Sequence, residues 1–391
     1  MITLLATALV IGVIVFVHEL GHYMAARSVG VRVERFSVGF PPRLITMTSV
    51  PDGWEFKLFF YRKNQEGKIE WGPVVEKNIK RPGRKGSLTE YCFAIVPLGG
   101  YVKMSGLIDE SLDTKIERKP YELMSKSRLA QAWVMSAGVI MNMILALVVY
   151  SVIAFNQGRP IISDEPVIAQ IVEGQPAEAA GMQVGDRIVK INGENIENWL
   201  EMTEIIHAQP NATLNINYER EGQLLNSEVT TVAQPYLSDG KIDTLGIIGI
   251  GASVTYEPIN VLQAIGGGWR ATIGVLELIG TTLKMLVTGS ATMKDIGGPI
   301  FIAQMAGETA RAGITPLMIL MAMISVNLAV INILPIPGLD GGHLMVIAIE
   351  SVIRRPMSLK ARIAIQKVGM VFLLLLMITV IVNDIGRLFT N

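Results

Sequence analysis

Cysteine is almost missing from this chain of 391 residues: Cys92 stands alone. One cysteine excludes an intrachain disulfide framework and any metal site built from several cysteines. In its strand-like run, Cys92 reads as a small buried residue. Histidine is scarce too, with only His18, His22, His207 and His343. Charged residues make up 17%, against about 25% for a soluble globular domain. Neither sign of charge is in excess, with 34 Lys+Arg against 34 Asp+Glu. Apolar residues make up 50%. These figures exclude a disordered or collagen-like chain and argue against a wholly soluble one. Nothing points to nucleic-acid binding. The length allows two or three units.

The apolar residues concentrate in runs. A helix needs about 20 apolar residues to cross a bilayer. Four stretches qualify: residues 1–24, where no charge precedes Glu19, then 132–155, 314–336 and 363–383. A fifth, 259–289, carries Arg270, Glu277 and Lys284. Ionisable residues are costly at mid-membrane depth, so this one reads as amphipathic or interfacial. The first run lacks the positive n-region of a signal peptide, and its first cation is Arg27. It is expected to be retained as a helix.

The balanced charge is a cancellation. Residues 23–132 hold 19 Lys+Arg and 12 Asp+Glu, a net of +7, and residues 156–257 hold 5 and 15, a net of −10. The cations flanking the apolar runs (Arg27, Arg32, Arg35, Lys126, Arg128 and the 354–367 group) follow the positive-inside pattern. Residues 25–131 and 344–362 therefore read as cytoplasmic. The acidic unit and both termini read as extracytoplasmic. The basic 77–85 run suits the inner-leaflet surface.

Residues 30–105 alternate β-like runs with Pro/Gly turns and read as hairpins. Residues 63–90 are expected as a polar, basic excursion, and 106–127 as a loop or surface helix. Residues 164–234 read as a small α/β module: a strand at VIAQIV, a helix at ENWLEMTEIIHAQ and a hairpin around Arg220–Gln223. The run Pro176-Ala177-x-x-Ala180-Gly181-Met182-x-x-Gly185-Asp186-x-Ile188-x-x-Ile191-Asn192-Gly193 resembles PDZ domains of bacterial proteases. That implies a groove beside an open strand edge that takes a peptide or substrate tail as an added strand. A spacer or size filter is the other reading. His207, on the module's helix, reads as structural.

The chemistry starts at His18-Glu19-Leu20-Gly21-His22, an HExxH. On a helix, positions i and i+4 share one face. Two imidazoles there can hold one zinc ion, with the intervening Glu as base for a water. From this composition, chance predicts about 0.0025 occurrences. A tetrahedral catalytic zinc needs a third protein ligand. Asp340 is the better candidate and His343 the other. Asp340 follows Pro335-Ile336-Pro337-Gly338, which opens non-helical backbone at the membrane border.

HExxH in the first run, with Asn327-Leu328-x-x-x-Asn332-x-x-Pro335-x-Pro337-x-Leu339-Asp340-Gly341-Gly342 in the third, resembles the site-2 protease family of zinc-dependent intramembrane proteases. The order of parts is similar to the bacterial regulator-of-sigma-E protease group. Pro97-Leu98-Gly99-Gly100-Tyr101-Val102-Lys103-Met104 resembles that group's membrane-associated β element, and Gly297-Gly298-Pro299-Ile300 its motif after the PDZ region. Two features depart from the group. Val139 replaces the usual proline in Gly138-Val139-Ile140-Met141-Asn142, and only one PDZ domain fits within 156–257.

The resemblance implies zinc on His18, His22 and Asp340, with Glu19 as base. Asn327 and Asn332 hold the substrate backbone, and Gly99 and Gly100 lie beside the substrate. It implies a polytopic α-helical membrane protein with four transmembrane helices, a cytoplasmic membrane-associated β element and one extracytoplasmic PDZ domain. The expected order is 1–24 first span, 25–131 β-rich region, 132–155 second span and 156–257 PDZ domain. An amphipathic 258–313 segment, the third span with LDGG at 314–343, a 344–362 loop and the fourth span at 363–391 complete it. If 259–289 also crossed, Asp340 would end on the wrong side from His18 and His22. The expected partners are the lipid bilayer and membrane-protein substrates with a transmembrane helix, such as trimmed anti-sigma factors or remnant signal peptides, in a bacterial inner membrane. The alternatives are a non-catalytic membrane-anchored PDZ adaptor and a metal-handling membrane protein.

Overall fold

The computed structural model describes residues 1–63, 68–83, 85–107, 117–238, 241–289 and 297–390. Parts of the expected 63–90, 106–127 and 258–313 segments lie outside the described residues. The chain divides into two compact units, one of Met1–Ile153 with Ile265–Asn391 and one of Ala154–Ala264.

The larger unit opens on α1 (Ile2–Ser28). Its buried Ala6, Val10, Ile14, His18, His22 and Ala25 recur every three or four residues, one stripe of a helix. The two histidines continue an apolar packing seam. Four strands follow: β1 (Val33–Val50), β2 (Gly53–Lys63), β3 (Ile69–Lys80) and β4 (Glu90–Met104), in sheet order β3-β2-β1-β4. The polar excursion expected at 63–90 is corrected here. Residues 69–80 pair with β2 from Lys63↔Ile69 to Gly53↔Lys80. Backbone pairing overrides the basic composition, and lysines suit an edge strand. The N-terminal half of β1 lies between two parts of β4, with Phe36 opposite Val102 and also opposite Tyr91. Among the described residues, the 100–104 segment of β4 has strand partners on one side only. Part of β4 rests on α1, where a Cβ on Gly99 would meet Val15 and Phe40. A short 3-10 turn, Leu123–Ser125, leads into α2 (Arg128–Gln157).

The smaller unit carries β5 (Arg159–Ile162), β6 (Gln170–Ile171), α3 (Pro176–Ala179), β7 (Arg187–Ile191), β8 (Glu194–Asn195) and α4 (Trp199–His207). Then come β9 (Thr213–Arg220), β10 (Gln223–Thr230), β11 (Val232–Ser238), β12 (Lys241–Ile247), β13 (Ile250–Gly251) and β14 (Val254–Glu257). The main sheet runs β10-β9-β7-β8. Period-2 burial of Leu214, Ile216 and Tyr218 faces α4's Met202 and Ile206 across one core. Asn198 caps α4 through a 2.8 Å bond from the Glu201 N–H. Buried Asp186 accepts two bonds from Arg220, at 2.7 and 2.8 Å. The strand expected at VIAQIV shrinks to Gln170–Ile171, the stretch that pairs with β13.

The chain returns to the larger unit through α5 (Val261–Thr288), α6 (Pro299–Ala312), α7 (Ile314–Ile333), α8 (Asp340–Ile353) and α9 (Leu359–Thr390). Among the described residues, five helices, α1, α2, α5, α7 and α9, are long and apolar enough to cross a membrane. Two expectations are corrected. The third run is two helices, because Leu334 turns extended and the Pro335–Gly338 stretch cannot continue α7. The expected 344–362 loop is largely α8, and α9 begins at Leu359. The described residues of the expected amphipathic 258–313 segment carry α5 and α6, and α5 packs on α2, where a Cβ on Gly268 would strike Ser151. α6 is fixed at both ends. Asp384 of α9 accepts from the N–H groups of Gly298, Ile300 and Phe301 at 2.9, 2.9 and 3.2 Å. Gly307 packs directly on Thr3 of α1.

Candidate active site

α1 presents His18 and His22 one turn apart with their Nε2 atoms 3.2 Å apart. Both rings are buried, at 6% and 5% exposure. Asp340, the first residue of α8, brings Oδ2 to 3.1 Å from His18 Nε2 and 3.2 Å from His22 Nε2. A tetrahedral zinc with bonds of about 2.0–2.1 Å sets its ligand atoms about 3.3 Å apart. The three side chains fit one such ion, and their ligand atoms all lie within 4.8 Å of one another.

Glycines make the convergence possible. A Cβ on Gly138 of α2 would stand 2.5 Å from His22 Nε2 and 2.7 Å from His18 Nε2. A Cβ on Gly341 would strike the Leu334 carbonyl, one on Gly342 the Ile336 carbonyl, and one on Gly369 of α9 the Pro337 carbonyl. Without these side chains the 334–339 turn folds tightly enough to aim Asp340 at α1.

The remaining ring nitrogens are held from α2. His22 Nδ1 lies 2.8 Å from the Val134 carbonyl and donates to it, which leaves Nε2 free for a metal. His18 Nδ1 lies 3.4 Å from the Asn142 side-chain amide, whose Oδ1 is buried with no partner among the described residues. Amide orientation is an assignment. Turned over, Asn142 presents that oxygen to the His18 Nδ1–H, the pairing a metal-bound His18 requires. Ser325 Oγ of α7 donates to the Asn142 carbonyl at 2.8 Å, tying α7 to α2 beside the histidines.

Glu19 is half-buried beside the cluster, with the Val102 backbone N–H of β4 facing its carboxylate. Asn327 and Asn332 sit half-buried on α7. Among the described residues, neither amide bonds to the His–Asp cluster. Gly99 and Gly100 are buried in β4, and Gly100 lies opposite Val38. His343 is three residues past Asp340 and lines a small cavity with Pro337 and Arg362 instead of joining the cluster. His207 is exposed at the end of α4. Sequence reasoning noted Gly138 and Asn142 only as remnants of a motif. Gly369 went unremarked, and the Val134 carbonyl, a backbone group, carries no side-chain signal.

The sequence profile of peptidase family M50 matches residues 6–72 and 79–376. The chain belongs to peptidase family M50. Relatives extend along its whole length. A zinc metalloprotease RasP of Bacillus licheniformis is 29% identical, covering 99% of each chain. A putative zinc metalloprotease of Agrobacterium fabrum is 32% identical, covering 97% of this chain and 94% of the other. The regulator of sigma-W protease RasP of Bacillus subtilis is 28% identical, covering 99% of each. A PDZ domain of an SdrC-like protein from Listeria monocytogenes covers 24% of the chain at 20% identity and a TM-score of 0.19, and nothing is built on it. This M50 peptidase is a zinc metalloprotease of the site-2 type and a multi-pass protein of a bacterial inner membrane.

Proposed function

We propose that His18, His22 and Asp340 hold the zinc, that Glu19 is the general base, and that the enzyme cuts peptide bonds within transmembrane segments of its substrates. The observation that carries this reading is the meeting of three ligand atoms at tetrahedral spacing, drawn from helices 318 residues apart in sequence. Zinc, when bound, supplies a Lewis acid that lets a water lose its proton near neutral pH. Glu19 takes that proton and returns it to the leaving amine. Val134 and Asn142 keep the two imidazoles oriented.

A helical substrate hides its carbonyls and must unwind to be cut. The one-sided 100–104 edge of β4, beside Glu19, suits an extended substrate strand added by backbone pairing. Gly99 and Gly100 let that strand lie against α1, and Asn327 and Asn332 hold the substrate backbone. Exposed Phe60, Tyr61, Ile69 and Val75 on β2 and β3 favour a sheet lying on the membrane. The sidedness follows the charge: residues 25–131 cytoplasmic, with the termini and the 156–257 unit extracytoplasmic. That unit acts as a PDZ domain that receives a substrate tail.

Four helices cross. α5 does not add a net crossing, because the chain meets the far end of α2 at Gly268 and is back beside Asp384 and Thr3 by Gly298 and Gly307. α7 then starts at the end where α1 starts. Anti-sigma factors already trimmed by another protease, or remnant signal peptides, are the substrates. The name of the sigma-W relative supports the first. Zinc-dependent cleavage of a reconstituted single-span substrate tests the reading. An adaptor binds without cutting, and a metal carrier moves zinc without cutting. Either result contradicts it.

A further inference from the structure

Away from the zinc cluster, the starts of two membrane-length helices border a cavity of about 350 Å³ lined by Arg118, Lys126, Ser127, Arg128 and Arg362. Four cations line it. Arg128 and Arg362 both pair with Glu350 of α8, a side chain with 0% exposure. The Met357 N–H also donates to Glu350, at 2.8 Å. Among the described residues, the Arg118 and Lys126 side chains have no carboxylate within ion-pair distance, and the buried Glu122 carboxylate accepts from the Arg118 backbone N–H at 2.8 Å, so Glu350 and Glu122 stand against four cations. The N-termini of α2 and α9, capped by Ser127 and Ser358, add the positive ends of their dipoles. Met124, Met357 and Leu359 add apolar side chains to the lining, and Leu129, next to Arg128, is 85% exposed. Cations directly beside exposed apolar side chains match an amphiphile better than a free ion.

We infer that this cavity binds the phosphate headgroup of an anionic phospholipid, with Arg118 and Lys126 as its main charge partners and the acyl chains along Met357, Leu359 and Leu129. The volume falls within the range of ligand sites. The bound headgroup bridges α2 and α9, and through Glu350 also α8, whose first residue is Asp340. The site differs from the basic 77–85 run, which offers a surface and not a cavity.

The test uses the full chain in neutral detergent and native mass spectrometry with dioleoyl phosphatidylglycerol and dioleoyl phosphatidylcholine. The expected result is retention of phosphatidylglycerol about tenfold stronger than phosphatidylcholine, falling to within about twofold in the Arg118→Gln/Lys126→Gln variant. Arg118 is exposed and Lys126 half-buried, so the variant keeps its fold and its zinc content. Lys126→Gln alone gives an intermediate preference. Equal retention of the two lipids by the unmodified chain, or an unchanged preference in the double variant, overturns the proposal. So does displacement of the lipid by millimolar inorganic phosphate, which assigns the cavity to a free anion. Loss of acidic-peptide binding in the variant with an unaltered lipid preference assigns it to a substrate's flank and also overturns it.

Discussion

At the scale of single residues, the candidate centre depends on what is absent from α2 as much as on what α1 provides. Gly138 leaves room for two imidazoles, and a methyl there collides with both. Gly138→Ala is expected to lower zinc affinity at least about tenfold, measured by competition with a chelator. Asn142→Ala removes the partner of His18 Nδ1. It should lower zinc affinity about 10–100-fold while Asn142→Asp, which keeps an acceptor, retains most of it. His18, Glu19 and His22 were legible in the sequence because HExxH concentrates rare residues at one spacing. Asp340 was legible because a helix-breaking run precedes it. Gly138 was visible without its purpose. A glycine's role in a crossing depends on which atoms lie opposite, and no local pattern records that.

Elements are held by polar groups that reach across the fold. Asp384 satisfies three N–H groups at the start of α6, a remote substitute for an N-cap. Asp384→Ala should cost about 1–2 kcal/mol and raise amide exchange at residues 300–301. In the smaller unit, burial alone lifts the Asp186 carboxyl. The bonds from Arg220 and the Gln183 N–H outweigh it and hold the carboxyl below its ordinary value. With the folded value lowered, this contribution is whole above the unfolded value of about 3.9 and is lost as pH falls through the folded one. Exchange protection of β9 should therefore be flat at neutral pH and fall in acid. Arg220→Met should lower the stability of this unit at pH 7, measured by denaturant unfolding, because it leaves the Asp186 carboxylate without its partner. Long apolar helices and the β9–β10 hairpin were legible because period and turn chemistry are local. β3 and α8 were not, since β3 exists through pairing with β2 and α8 restarts only where the 334–339 turn is supported by α9.

Over the whole molecule, a formal charge of zero conceals +7 on one segment and −10 on another, and this asymmetry supplies the proposed orientation. Labelling of single cysteines introduced into the 156–257 unit and into residues 344–362 of a Cys92→Ser chain should place them on opposite faces of the membrane. Modification from the same face contradicts the orientation. The order of the long apolar helices was legible from apolar runs. The path of 259–289 was not, because its composition suits both a surface helix and an inserted one. The most direct measurement compares Glu19→Gln with the unmodified enzyme in zinc content and in cleavage of a single-span substrate. Unchanged zinc, near one ion per chain, with cleavage reduced at least about a thousandfold, is the predicted result. Undiminished cleavage by the variant contradicts it.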